Sequence, residues 1–263
     1  MRNPETWKES KFVLRKAKLV ASSDPSEVSV SSRLAANLVA RFYQNAFDRR
    51  KNGRLLDLGC GKVPLYILYR DHATEITCVD WANTLHGNQH IDKEVDLSRP
   101  LPFDDNQFDT IILSDVLEHV PVPELLWHEM ARLLAPDGKI LMNVPFYYWL
   151  HEQPHDYYRY TKFALRRFVE ISGLETVELT PIGGAPEIIA DILSKCAQRV
   201  PKLGTVLART IQSLGLWFVG TGWGKRFSQA TAQNFPFGYF LIAAKPAQPV
   251  MPEPEILESH ADT

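Results

Sequence analysis

The stretch Leu55-Leu56-Asp57-Leu58-Gly59-Cys60-Gly61-Lys62-Val63-Pro64 decides how this chain folds. Residues 54–58 are a short apolar run carrying one acid, which reads as a buried strand, and two glycines follow at once. Gly59 and Gly61 permit positive φ, so the strand can turn sharply and a ligand can approach backbone that side chains would otherwise screen. A dinucleotide fingerprint would want a third glycine at position 64, where this chain has Pro64. Asp57, just inside the turn, repels a phosphate and attracts an ammonium or sulfonium. The turn therefore suits a cationic ligand better than a pyrophosphate.

Working outward, strands and helices take turns. Residues 75–79 read as a second strand closed by Asp80, 108–113 as a third and 139–144 as a fourth. Leu34, Leu38, Phe42 and Ala46 recur every four residues, the stripe of an amphipathic helix before the first strand. A helix over 124–134 starts at Pro123, carries Leu126, Met130 and Leu133 or Leu134 on one face, and stops at Ala135-Pro136-Asp137-Gly138. Such alternation predicts an α/β fold of parallel βαβ units with right-handed crossovers, helices on both faces, and ligands at the carboxyl ends of the strands.

Asp-Leu-Gly-Cys-Gly at 57–61 resembles the first motif of class I S-adenosylmethionine-dependent methyltransferases, with Val63 where that pattern carries a small residue. Further stations follow in order. Asp80 stands 19 residues after Gly61, where an acid can accept both ribose hydroxyls unless it merely caps a turn, and Trp81 can lie against an adenine face. Asp96-Leu97 and the segment 101–109 are similar to the region whose acid receives the adenine amino group. Ser114-Asp115-Val116-Leu117-Glu118-His119-Val120 resembles the station facing both donor and acceptor. The resemblance covers about residues 50–180 plus a terminal strand. It implies a Rossmann-like open, mostly parallel sheet, an antiparallel last strand, S-adenosyl-L-methionine as methyl donor, and Asp57, Gly59, Cys60, Gly61, Asp80, Trp81, Asp96, Leu97 and Ser114 around it.

A sulfonium is an activated donor, so alignment of acceptor, methyl carbon and leaving sulfur supplies most of the acceleration. An oxygen acceptor must also lose a proton, and histidine suits that role near neutral pH. His119 and His155 are the candidate bases; each can equally be a structural hydrogen-bond partner. The letters His151-Glu152-Gln153-Pro154-His155 contain the spacing of a helical zinc pair, but Pro154 breaks the helix that spacing needs, so no metal ligands are assigned. Residues 147–161 read instead as an aromatic, ionisable loop over the acceptor. It is similar to loops of bacterial methyltransferases linked to glycan or secondary-metabolite pathways, and Thr161 caps the helix that follows. Arg159 can grip an acidic acceptor or lock the loop through Asp156.

The domain reading is an arm over 1–29, a core over 30–184, a helical apolar insert over 185–234, a terminal core strand over 235–246 and a disordered tail over 247–263. An antiparallel pair is expected at 175–181 and 239–244, with helices at 186–199 and 203–214 between them. The uncharged run 214–223 can roof the site, pair subunits or rest on a membrane surface. Lys plus Arg total 29 against 31 for Asp plus Glu, so no global field favours a nucleic-acid partner. Cys60, Cys78 and Cys196 form no CxxC pair, and no secretory h-region is visible, which fits a cytoplasmic protein. Three classes of function remain: methylation of a small molecule, sugar or glycan precursor; methylation of a lipid-linked or membrane-bound acceptor; and a non-catalytic ligand-binding relative or dehydrogenase. The sequence leaves acceptor and oligomeric state open.

Overall fold

The computed structural model describes residues 1–47, 53–82, 87 and 89–247; the expected disordered tail falls almost wholly outside them. The chain opens with a hairpin, β1 (Phe12–Arg15) against β2 (Lys18–Ala21), followed by helix α1 (Arg33–Phe47). The core then runs β3 (Gly53–Leu58), α2 (Tyr66–Tyr69), β4 (Ala73–Asp80), β5 (Lys93–Glu94), β6 (Phe108–Ser114), α3 (Pro123–Leu133), β7 (Leu134–Pro145), α4 (Lys162–Ile171) and β8 (Glu175–Ile182). Three helices, α5 (Ala185–Gln198), α6 (Gly204–Gly220) and α7 (Gly222–Thr231), precede the last strand, β9 (Gly238–Ala244).

Seven of these strands form one sheet in the order β5-β4-β3-β6-β7-β9-β8. Pairings from β5 through β7 are parallel, and β9 lies antiparallel between β7 and β8. Alternation along each strand sends neighbouring residues to opposite faces. Leu56, Leu58, Ile111, Leu113, Ile140 and Met142 pack with Trp127 and Phe168 on one side, while Leu55, Ile112, Leu141 and Phe240 meet Tyr43 and Phe47 on the other. Both faces are thus covered, as a parallel sheet requires. Thr161 accepts a hydrogen bond from the Ala164 amide at 3.2 Å and caps α4.

Several boundaries differ from the sequence reading. Strand β7 begins at Leu134, directly at the end of α3, because Leu134 already pairs with Phe108. Helix α6 continues to Gly220 instead of stopping at 214, since the apolar run beyond Leu214 contains no proline. The arm is not simply a polar tail: Phe12 and Leu19 of the hairpin are fully buried beneath α1. Before the hairpin, Trp7 donates from Nε1 to the Val63 carbonyl at 3.1 Å and lies edge-on to Tyr66, so this segment crosses the turn that follows β3.

Candidate active site

The switch in strand order between β3 and β6 opens a crevice at the carboxyl ends of the strands, where such sheets bind ligands. Gly59 and Gly61 both adopt left-handed backbone, with φ of 66° and 52°. The Gly59 and Cys60 amides donate to the Val79 carbonyl, and the Gly61 amide donates to Asp80 Oδ2 at 2.7 Å. Val63, whose Cβ branching normally forbids it, also takes a left-handed φ of 53°. Asp80 therefore shapes the turn as well as ending β4; its other oxygen accepts from the Trp81 amide at 2.8 Å.

Asp57 is buried and accepts from the Tyr69 hydroxyl at 2.7 Å. Burial, opposed by that hydroxyl and reinforced by the negative charge of Asp80, pushes its carboxyl from 3.8 up to about 7. Two carboxylates close together under apolar cover favour an approaching positive charge. Trp81 keeps 39% of its surface exposed beside them, an open aromatic face. Asp96 lies further along, accepting from the Ser98 amide and pairing with Arg99 at 3.2 Å, while Leu97 packs on the core. Ser114 ends β6 and donates to Asn143 Oδ1 at 2.9 Å. Asp57, Gly59, Gly61, Asp80, Trp81 and Ser114 thus stand at or just beyond the carboxyl ends of β3, β4 and β6, with Asp96 just beyond β5, while Cys60 is buried and Leu97 packs on the core.

Beside this edge lies a cavity of about 210 Å³ at the ends of β6 and β7, walled by Ala36 and Val39 of α1, by Asp115, Asn143 and Tyr148, and by His151. Buried Asn143 holds its polar floor together. Its Oδ1 accepts from Tyr43 and Ser114, and its Nδ2 donates to Asp115, which also receives Lys11 Nζ at 2.7 Å. Asp115 has φ of 54°, a strained setting of the kind that collects at functional sites.

The loop after β7 folds down on the one-turn helix Leu117–His119. The amide of Tyr157 donates to the Glu118 carbonyl and the Tyr160 hydroxyl to the Leu117 carbonyl. Arg159 binds Asp156, with Nη2 2.8 Å from Oδ2, and donates to the Trp149 carbonyl, so it locks the loop. That grip outweighs burial and holds Asp156 down at about 2.

The two candidate bases do not come together. His155 stacks edge-on against Trp81, 5.0 Å between centroids, with Nδ1 3.1 Å from the Tyr157 hydroxyl. His119 faces the other way: Nδ1 binds the His155 carbonyl at 2.9 Å, and Nε2 sits 3.8 Å from Glu118 Oε1. The sequence reading assigned no role to Glu118 or His151, yet ligand atoms of Glu118, His119 and His151 lie within 4.8 Å of one another. Adjacent Glu-His letters after a strand were the available signal for Glu118, and the His151-Glu152-Gln153-Pro154-His155 spacing was the signal for His151, set aside because Pro154 breaks the helix it needs.

This sheet order is the Rossmann-like fold shared with solved methyltransferases. A family model described as a methyltransferase domain matches residues 31–178, more than half of the chain, and the chain belongs to that family. The ubiquinone biosynthesis O-methyltransferase of Coxiella burnetii is 27% identical over 158 residues, spanning 50% of this chain and 68% of that protein. Among solved structures, an S-adenosylmethionine dependent methyltransferase from Mesorhizobium loti matches with a TM-score of 0.50 at 14% identity, covering 81% of this chain and all of that one. Phosphoethanolamine N-methyltransferase 2 of Haemonchus contortus, in complex with S-adenosyl-L-methionine, matches with a TM-score of 0.52 at 17% identity, over 85% of this chain and 57% of that one. At such identities the structural likeness is one of fold.

Proposed function

We propose that the chain methylates a hydroxyl oxygen of a small molecule, binding S-adenosylmethionine along the ends of β3, β4 and β5 and the acceptor in the cavity at the ends of β6 and β7. The donor, when bound, supplies a methyl group already activated on a sulfonium. Asp57 and the Gly59–Gly61 turn receive the cationic end, Asp80 accepts the ribose hydroxyls, Trp81 covers the adenine, and Asp96 takes its amino group. Oxygen attacks the methyl carbon as the sulfur–carbon bond breaks, the neutral thioether leaves, and the hydroxyl proton passes to a base or to water. His119 is the base candidate nearer the cavity wall formed by His151. The single observation that carries this reading is the left-handed Gly59/Gly61 turn held by Asp80 against buried Asp57. The name of the Coxiella burnetii relative supports oxygen as the accepting atom.

Calorimetry with S-adenosylhomocysteine and with a nicotinamide cofactor tests it. Binding of the thioether alone is expected; binding of the nicotinamide alone would overturn the assignment. Mass spectrometry of a metabolite extract incubated with enzyme and isotopically labelled donor then identifies the acceptor, sugars and glycan precursors included.

A second reading, a lipid-linked or membrane-bound acceptor reached by peripheral contact, is favoured by Trp217 and Trp223, 69% and 71% exposed at the α6–α7 junction. Among the described residues no helix is long and apolar enough to cross a membrane. Turnover that rises with liposomes in the parent protein and fails to rise in Trp217→Glu would support surface contact; indifference to liposomes would remove it.

A further inference from the structure

Glu118 is fully buried, and among the described residues neither carboxylate oxygen has a hydrogen-bond partner within 3.5 Å. Leaving such a group bare costs several times what an ordinary hydrogen bond contributes. Two imidazoles face it. His119 Nε2 stands 3.8 Å from Glu118 Oε1, and His151 Nε2 stands 3.7 Å from the same oxygen. A buried carboxylate directly paired with imidazolium would close to roughly 2.7–2.9 Å. Both gaps are about an ångström longer, the separation left when a small species sits between.

His119 Nδ1 binds a backbone carbonyl, so it carries the proton and Nε2 presents its lone pair. Nε2 has no hydrogen-bond partner either. Behind His151, Nδ1 lies 3.3 Å from Asp156 Oδ2 without a hydrogen bond between them, and Arg159 fixes that carboxylate, so a small turn of the ring would bring the two into line. A carboxylate behind the far nitrogen of an imidazole is the usual support of a metal-ligating histidine.

We propose that Glu118, His119 and His151 bind a divalent first-row transition cation on the acceptor side of the site, with one coordination position left open toward the cavity. Two imidazole nitrogens and one carboxylate oxygen suit zinc and its neighbours better than calcium or magnesium, which prefer oxygen alone. Ligand atoms about 2.0–2.1 Å from a tetrahedral ion are about 3.3 Å apart, so the two gaps at Glu118 need close by about half an ångström. The two imidazoles, whose ligand atoms lie within 4.8 Å of each other, must draw together by up to about 1.5 Å as the ion binds. His151 also lines the acceptor cavity, which points the open position at an incoming oxygen. That last step rests on the methyltransferase reading above; cation binding itself does not. With Nε2 on the ion, His119 would serve as a ligand in place of the base role given it above, and a hydroxyl held by the ion would lose its proton to water more readily, leaving its oxygen to take the methyl group.

The test uses the full chain, stripped with a chelator and titrated with cobalt(II). A visible ligand-field band saturating at one cobalt per chain, displaced by zinc, is expected. His151→Ala and Glu118→Gln should each weaken binding more than the 10- to 100-fold expected for Asp156→Asn, which removes only the support. His128→Ala, altering an exposed histidine on α3, should change nothing. Circular dichroism establishes that each variant is folded; should Glu118→Gln fail to fold, the half-buried His151→Ala decides. No stoichiometric cobalt or zinc binding, or binding that survives His151→Ala undiminished, overturns the proposal. S-adenosylhomocysteine calorimetry on the same samples keeps the two readings apart: cobalt binding without thioether binding would sink the methyltransferase role and leave the metal site standing.

Discussion

A methyl group added at Gly59 tests the turn most directly. Built on the backbone, its Cβ would stand 2.6 Å from Val116 Cγ2 and 2.8 Å from Cγ1, at a φ of +66°. The left-handed setting costs a non-glycine residue about 1–2 kcal/mol. Crowding against Val116 adds about 1–3 kcal/mol. Gly59→Ala should therefore destabilise the protein by roughly 2–5 kcal/mol. Val116→Ala removes both crowding methyls and leaves only its Cβ, 3.3 Å away, so in that background the backbone cost dominates. A double-mutant cycle by urea unfolding should show a coupling of about 1–3 kcal/mol between the two sites. Calorimetry should show that the double variant regains donor affinity relative to Gly59→Ala alone. Additivity within about 0.5 kcal/mol, or a Gly59→Ala protein as stable as the parent, would refute the account of the turn.

Asp57→Asn should change how stability depends on pH. The folded state keeps the Asp57 proton up to about 7 while the unfolded chain releases it near 3.8, so this stabilisation is full below 3.8 and lost as pH rises through 7. In donor-free protein the variant should gain on the parent by up to about 4 kcal/mol between pH 4 and 8; a gap that does not move with pH would show that Asp57 titrates normally. Asp80→Ala should weaken S-adenosylhomocysteine binding by about 1–3 kcal/mol, roughly 5- to 150-fold, through the lost ribose contacts and the freed Gly61 amide; unchanged affinity contradicts both roles. Gln212, buried on α6, donates to the Ser31 carbonyl and Ser194 Oγ and accepts from the Leu34 amide. Gln212→Ala should cost about 1–3 kcal/mol and raise acceptor KM more than it alters donor affinity; the reverse ranking would disconnect the insert from the cavity.

The turn after β3 was legible in the sequence because its determinants are local. Strand, acid and two glycines occupy consecutive positions, and Asp80 and Ser114 follow as the last residues of later strands. The hairpin of residues 12–21 escaped for a physical reason. Its two central residues, Lys16 and Ala17, both hold positive φ, 51° and 60°, where a hairpin turn normally signals itself with Asn-Gly or Asp-Gly. Surrounding lysines then disguised the two buried anchors, Phe12 and Leu19. Glu118 and His151 were missed for another reason: 33 positions separate them, neither lies on a periodic element, and only the loop stitched onto residues 117–119 by Tyr157, Tyr160 and the His155 carbonyl makes them neighbours. Proline within His151-Glu152-Gln153-Pro154-His155 spoiled a helical pair correctly, but His151 finds its partners across space rather than one turn along.

The three helices inserted before β9 touch the rest of the molecule at the start of α1, where Gln212 clasps Ser31 and Leu34, and at the loop after β7, where Lys195 lies over the Tyr148 and Trp149 rings. The first of these segments supplies Ser32, Ala35 and Ala36 to the cavity wall, whereas the donor turn is built from β3 and β4 on the other side of the crossover. Changes on the outer helices would therefore reach the wall of the proposed acceptor cavity without disturbing the residues proposed to hold the donor. Two halves of one crevice can drift at different rates, the chemistry staying fixed while the clientele changes.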